Sequence, residues 1–498
     1  MSLSCSRSIV YLMSEIYDLI VLGGGSAGLV AAGGSALLGA KVALIEKNRL
    51  GGDCLYTGCV PSKTLIKSAR FAHQVKEAEK FGFQPLEPKF LKDSFASITG
   101  RVQKVIEIIE THDAPEVFAA MGVEVIFGTP KFLNPNEIEV ALQDSATKRV
   151  MKAKRFCLAT GSRPFAPPLE GLRETGFITN EEVFQLNELP NRLVILGGGA
   201  IGLELGQSFA RFGSKVTIVE MAERILGKED AEVSALMEKL LQDEGLEILT
   251  NTEAVKVQQT SNGAKVLTVE ANGEALTIEA DEILVAVGRQ PNVKGLDLEK
   301  AGVEFDEKRV KTNDYLQTSQ KHIFAAGDVT AHFQFTHMAD YEAQIVIQNA
   351  FIPFPFRKKT DFRVVPWATF TEPEVARVGL TEQEAVVKLG NGVKTYKVAF
   401  TENDRAQAES ATTGFAKVVT NKGRIIGATL VGEHAGELIH EFVWAMKQNM
   451  KIGGLNKIIR VYPTLAKITQ AIGAQATLES LQSPFVQKWF KRYLKIWR

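Results

Sequence analysis

The chain is poor in cysteine, with four in 498 residues, which excludes a disulfide-stapled scaffold and suggests a reducing compartment. It carries no surplus charge. Fifty-eight Lys and Arg stand against 58 Asp and Glu, so no chain-wide positive field exists to hold a nucleic acid. It also lacks a run fit to cross a membrane. Leu19 to Ala40 is uncharged for 22 residues but contains seven glycines, and its apolar start Leu19-Ile20-Val21-Leu22 breaks at Gly23-Gly24-Gly25, the pattern of strand, tight turn and helix. The apolar stretch Ile9 to Met13 is too short for a secretory leader. A cytoplasmic location is expected, with residues 1–13 a loose arm.

What is present has the composition of an ordinary α/β protein, 45% apolar and 23% charged with 42 glycines, and a length that suggests about three domains. Tyr17 to Glu46 reads as strand, glycine turn, helix and second strand. Arg192 to Glu220 repeats that grammar. Gly23-x-Gly25-x-x-Gly28 is followed by Glu46, and Gly197-x-Gly199-x-x-Gly202 by Glu220, each acid 18 residues beyond the last glycine. In such a unit the first glycine makes the turn and the second lets backbone approach a pyrophosphate at the helix N-terminus. The third lets helix and strand pack, and the acid accepts from a ribose hydroxyl. Two matched units imply two dinucleotide sites.

Directly after the first unit, Cys54 and Cys59 stand in Gly51-Gly52-Asp53-Cys54-Leu55-Tyr56-Thr57-Gly58-Cys59-Val60-Pro61-Ser62-Lys63. Pro61 marks the first turn of a helix, whose free N–H groups would stabilise a thiolate at Cys59. No second cysteine pair completes a zinc site, so no resident metal is expected. Cys157, in the apolar Phe156-Cys157-Leu158, reads as a core thiol, and Cys5 falls in the arm.

With Ala159-Thr160-Gly161, Gly288-Arg289-Gln290-Pro291-Asn292, Ala325-Ala326-Gly327-Asp328 and Thr371-Glu372-Pro373-Glu374 following in order, the chain resembles the class I pyridine nucleotide–disulfide oxidoreductases. This is the flavoprotein family of dihydrolipoamide dehydrogenase, glutathione reductase and mercuric reductase. The resemblance implies an α/β fold with two Rossmann-like dinucleotide-binding domains and a C-terminal α+β dimerisation domain. The FAD domain would span 14–160 and 290–360, the NAD(P) domain 161–289, and the interface domain 361–482, with 483–498 a basic amphipathic tail. Gly23, Gly25, Gly28 and Glu46 would hold the adenosine half of FAD and Asp328 its flavin side. Gly52, Lys63, Thr160, Gly161, Gly288, Arg289 and Gly327 complete the implied cofactor set. Gly197, Gly199, Gly202 and Glu220 would take the nicotinamide nucleotide. NADH is favoured, because the Glu220 carboxylate repels a 2′-phosphate, although Arg224 could offset that in part. The resemblance also implies a Cys54–Cys59 redox disulfide, with Cys59 contacting the flavin and Cys54 attacking substrate, and a Lys63–Glu204 ion pair beside the flavin.

Where family members act on disulfides or dithiols, a His-Pro-Thr-x-x-Glu motif moves the proton at sulfur. This chain has Tyr462-Pro463-Thr464-Leu465-Ala466-Lys467. A phenol of pKa near 10 is no base at neutral pH, whereas a soft metal ion binds thiolates that need no acid. Mercuric-reductase-like reduction of a metal ion by NAD(P)H, FAD and the cysteine pair is therefore the favoured expectation, in a homodimer with Tyr462 of one chain facing Cys54 of the other. The vicinal cysteine pair of mercuric reductases has no counterpart in the last residues, Lys495-Ile496-Trp497-Arg498. The alternatives are a dihydrolipoamide dehydrogenase-like enzyme or diaphorase, and a low-turnover FAD-binding redox sensor. His337, before a helix, is a weaker alternative base.

On a helical wheel of residues 485–498, Phe485, Val486, Trp489, Phe490, Tyr493, Leu494, Ile496 and Trp497 fill one half. Gln487, Lys488, Lys491, Arg492, Lys495 and Arg498 fill the other. Such a tail fits peripheral contact with an anionic membrane and packing on its own dimer equally well.

Overall fold

A computed structural model describes residues 16–84, 94–143, 145–261 and 263–497. The N-terminal arm with Cys5, and Arg498 at the other end, lie outside them. The described residues divide into two compact units, one drawn from 1–61, 103–165 and 289–360, the other from 62–102, 166–288 and 361–498.

The first unit is built on an eight-stranded sheet. Its strands Val123–Asn134, Val42–Glu46, Leu19–Leu22, Phe156–Leu158 and, at the edge, Ile323–Ala325 pair in parallel. Leu19 to Leu22 are buried on both faces, as expected of a covered parallel sheet. Against them lies the Ser26–Leu37 helix, whose buried face of Ala, Gly and Ser brings it close to the sheet. The uncharged run that could have been mistaken for a membrane span is therefore a strand and a helix. Among the described residues, no helix is long and apolar enough to cross a membrane. Cys157 is fully buried in its strand, and burial pushes its thiol up to about 12.

The second unit holds a four-stranded parallel sheet, ordered Glu247–Leu249, Lys215–Val219, Arg192–Leu196, Glu282–Val285, with the Ala200–Phe212 helix following its glycine turn. It also holds a five-stranded antiparallel sheet formed by residues 366–432. The Ala435–Lys447 helix joins that sheet's core through Ile439, Phe442 and Met446. The apolar, β-branched pair Val364-Val365 precedes a strand that begins at Pro366. Its strand lies at the sheet edge, where a missing N–H costs little, and the two valines are buried in the approach to it.

Candidate active site and its relatives

The two glycine turns fold alike. Gly23 and Gly197 open them at φ +110° and +109°. A methyl group on Gly28 would strike the Gly23 carbonyl oxygen at 1.8 Å, and one on Gly202 would strike that of Gly197 at 2.0 Å. Glu46 accepts from the Gly24 N–H at 2.6 Å and the Asn48 N–H at 2.8 Å. Glu220 accepts from the Gly198 N–H at 2.7 Å and the Ala222 N–H at 2.8 Å. In both units the carboxylate closes over the turn.

Cys54 lies in the short Gly52–Tyr56 helix and Cys59 opens the Cys59–Lys76 helix. The first helix is pinned by the Tyr56 hydroxyl, which donates to the Leu50 carbonyl at 2.8 Å and to Glu110 at 2.7 Å. Gly58 sits so close to Asp53 that a methyl group there would meet its carbonyl oxygen at 2.8 Å. Neither cysteine is in a disulfide in this structure. The hydrogen bond with the Cys59 sulfur, and then burial, push the Cys54 thiol well above its usual range, against a smaller opposing pull from the Thr336 hydroxyl. Thr336, at the start of the Thr336–Phe351 helix, lies 3.3 Å from the Cys59 sulfur. Sequence reading passed over it in favour of His337, which is exposed and stacks on Phe335 at 5.3 Å.

A second cluster of the first unit surrounds Asp328. The Ser162 hydroxyl donates to Asp328 at 2.6 Å and accepts from Arg289 Nε at 2.8 Å, while Arg289 also reaches Asp53 at 3.1 Å. Burial raises the Asp328 carboxyl above its usual range, although Ser162 and Arg289 oppose the shift. Thr160 and Asn292 exchange two hydrogen bonds of 2.8 and 2.9 Å, and Asn292 N–H donates to the Gly161 carbonyl. The Gly327 N–H donates to the buried Glu342 at 2.7 Å. Ser162 and Glu342 had no role in the sequence reading, and Asn292 entered it only as the end of the Gly288–Asn292 motif. Ser162 and Asn292 stand 166 and 132 residues from their partners, and no local pattern connects them.

In the second unit Lys63 and Glu204 meet at 2.8 Å, with Glu204 buried and Lys63 partly exposed. The other Glu204 oxygen accepts from the Phe370 N–H at 2.8 Å, and the Lys63 ammonium sits 4.4 Å from the Phe370 ring centre. Gly288 has φ +142° and open space at its side-chain position. Tyr462 is 65% exposed and its hydroxyl donates to Asp404 at 3.2 Å. That bond pushes the phenol above its usual range. Lys467 donates to Gln470 at 2.6 Å.

Residues 17–343 match the family model described as pyridine nucleotide-disulphide oxidoreductase, and residues 365–472 match the dimerisation domain of the same family. The chain belongs to this family. It is 35% identical over 467 residues to a mercuric reductase of Lysinibacillus sphaericus, covering 93% of this chain and 83% of that protein. It is 38% identical over 464 residues to a dihydrolipoyl dehydrogenase of Thermus scotoductus, covering 91% and 96%. Among solved structures, the Cu(II) complex of the HOCl-induced flavoprotein disulfide reductase RclA from Escherichia coli superposes with a TM-score of 0.80 at 27% identity, covering 93% and 99%.

The fold is that of this α/β flavoprotein family, whose members are enzymes that use FAD and NAD(P)H. The residues present fit those groups. Among the described residues, no side chain caps the Ser26–Leu37 or the Ala200–Phe212 helix. A side-chain carbon on Gly25 would meet nothing nearer than Gly52 at 3.8 Å, and one on Gly199 nothing within 4 Å. Each helix thus presents bare N–H groups to open space, as a pyrophosphate requires.

Proposed function

We propose that the chain is a NAD(P)H-dependent flavoprotein reductase that passes two electrons through Cys54 and Cys59 to a metal ion of the Hg(II) or Cu(II) kind. The observation that carries this reading is the pair at the proton-relay positions. Tyr462 is a phenol whose proton is held by Asp404, and Lys467 is spent on Gln470. A phenol held in this way does not take a proton from a substrate thiol near neutral pH, and Lys467 does not supply the carboxylate that would orient a base. A metal-ion acceptor needs no such base, because it binds sulfur as thiolate. The similarity to mercuric reductases and to a protein solved as a Cu(II) complex supports the same class of acceptor.

In this reading FAD occupies the 14–160 and 290–360 segments, held by the Gly23–Gly28 turn, Glu46 and the Asp328–Ser162–Arg289 cluster. The nicotinamide nucleotide occupies 161–289 through the Gly197–Gly202 turn and Glu220. FAD, when bound, supplies the two-electron link between nicotinamide and sulfur. Cys54 keeps its proton while its neighbour Cys59 carries the thiolate, and Thr336 holds its hydroxyl to that sulfur. Lys63 and Glu204 fix a positive charge one helical turn beyond Cys59 in the chain. Closing the Cys54–Cys59 disulfide from one thiol and one thiolate releases two electrons and one proton, and the electrons take Hg(II) to the metal or two Cu(II) to two Cu(I). The 361–482 domain joins two protomers, with Tyr462 of one facing Cys54 of the other.

The test is an acceptor panel with the FAD-loaded protein and NADH: Hg(II), Cu(II), dihydrolipoamide with NAD⁺, and glutathione disulfide. Turnover confined to the thiol substrates overturns the reading. The identity to dihydrolipoyl dehydrogenases favours a second reading, a dihydrolipoamide-type enzyme or diaphorase, and the same panel separates the two. No reduction of bound flavin by NADH would leave the redox-sensor alternative.

A further inference from the structure

The C-terminal helix Pro484–Ile496 contributes nothing to the site described above, and no residue of it is buried. Pro484 occupies its first turn, after Ser483 breaks the preceding Lys467–Gln482 helix with an extended backbone. The apolar side is exposed. Trp489 is 54%, Phe490 43% and Leu494 50% accessible. Trp489 stacks on Tyr493 with ring centres 5.4 Å apart, and Tyr493 meets Trp497 at 5.9 Å, so the rings form a ladder along the helix. Lys488, Lys491, Arg492 and Lys495 line an open groove on the other side.

Two features say what covers this helix. The chain is neutral as a whole, yet residues 484–498 contain no Asp or Glu, and the acid nearest in sequence, Glu479, is already held by Lys394 and Tyr396. A second copy of the chain would have to supply several unpaired carboxylates in register with the groove. The face also carries Trp489, Tyr493 and Trp497, rings that place an apolar body below a polar edge at a lipid headgroup boundary.

We propose that Pro484–Ile496 is a peripheral membrane anchor, lying in the interface of an anionic bilayer with Trp489, Phe490 and Tyr493 inserted and the four cations at the headgroups. The reductase would then work at a membrane surface.

The test uses the full-length FAD-loaded protein and two vesicle preparations, phosphatidylcholine alone and phosphatidylcholine with an equal part of phosphatidylglycerol. The protein should sediment with the anionic vesicles at low salt, be released at high salt, and show a blue shift of tryptophan emission on binding. Each cation removed should weaken binding about fivefold, so the combined Lys488→Glu, Lys491→Glu, Arg492→Glu and Lys495→Glu protein should stay in the supernatant with unchanged NADH turnover. The Trp489→Ser, Tyr493→Ser protein should lose sedimentation while remaining the same size on gel filtration. The proposal is overturned if the unaltered protein stays in the supernatant, or if either variant sediments as well as it does. It is equally overturned if the Trp489→Ser, Tyr493→Ser protein changes oligomeric size, which would assign the face to a second copy of the chain.

Discussion

The Thr336 hydroxyl lies 3.3 Å from the Cys59 sulfur, and it also opposes the rise of the Cys54 thiol. One side chain therefore acts on both cysteines, and the two sulfurs are unequal. Cys59 is exposed at the start of a helix, while Cys54 is more covered and holds its proton.

That inequality predicts the order of alkylation. In the reduced, FAD-free protein, iodoacetamide should modify Cys59 faster than Cys54 by more than about tenfold, the thiolate fraction carried by one pKa unit. Because the Cys54 thiol is raised, its labelling should stay slow through neutral pH and accelerate only in alkali. FAD should protect Cys59. Peptide mapping that finds Cys54 modified first at pH 7 would reverse the two roles.

The Lys63–Glu204 pair predicts a measurable coupling. Glu204 is buried and Lys63 partly open, so the interaction falls between an exposed and a fully buried ion pair, about 1–3 kcal/mol. A double-mutant cycle with Glu204→Gln and Lys63→Met, read by denaturant unfolding, should return that value. A coupling near zero would mean that the 2.8 Å contact carries no energy.

Much of this was legible locally. Each glycine fingerprint and its acid lie within 30 residues, and their geometry depends on the turn and two strands that the same segment supplies. The membership in a flavoprotein family, Cys157 as a core thiol and the Lys63–Glu204 meeting were reached from motifs in order. Thr336 was not, because it stands 277 residues from Cys59 and only the fold brings them together. Ser162 was missed for the same reason, being 166 residues from Asp328. The strand start at Pro366 shows a different limit of local propensity. The β-branched pair before it carries strand propensity, but burial at the sheet margin rather than pairing is what those side chains satisfy.

Glu220 predicts the nicotinamide preference. Its two oxygens already face the turn N–H groups of Gly198 and Ala222, the position from which a carboxylate accepts from ribose and repels a 2′-phosphate. Arg224 is engaged with Glu223 at 3.2 Å. NADH should therefore show the higher kcat/KM. Glu220→Gln should lower that value about tenfold or more, the loss of a charged hydrogen bond of about 1.5–3 kcal/mol, while affecting NADPH less. A wild-type preference for NADPH would sink this assignment.

Tyr462 and Lys467 predict a gain of function. If the missing proton relay is what bars thiol substrates, then Tyr462→His with Lys467→Glu should raise dihydrolipoamide oxidation by about 100-fold or more, the usual contribution of a positioned general base. The single Tyr462→His protein should gain less, because its imidazole lacks an orienting carboxylate. Tyr462→Phe should leave thiol activity as low as before, since the phenol proton is held by Asp404 and serves no base. The pH profile adds a second readout. The double variant should gain dihydrolipoamide activity as pH rises through the histidine range near 6.5, whereas the unaltered enzyme should show no such step. If the double variant folds, binds FAD, reduces Cu(II) at the original rate and still ignores dihydrolipoamide, then something other than the relay selects the acceptor, and the metal-ion reading loses its main support.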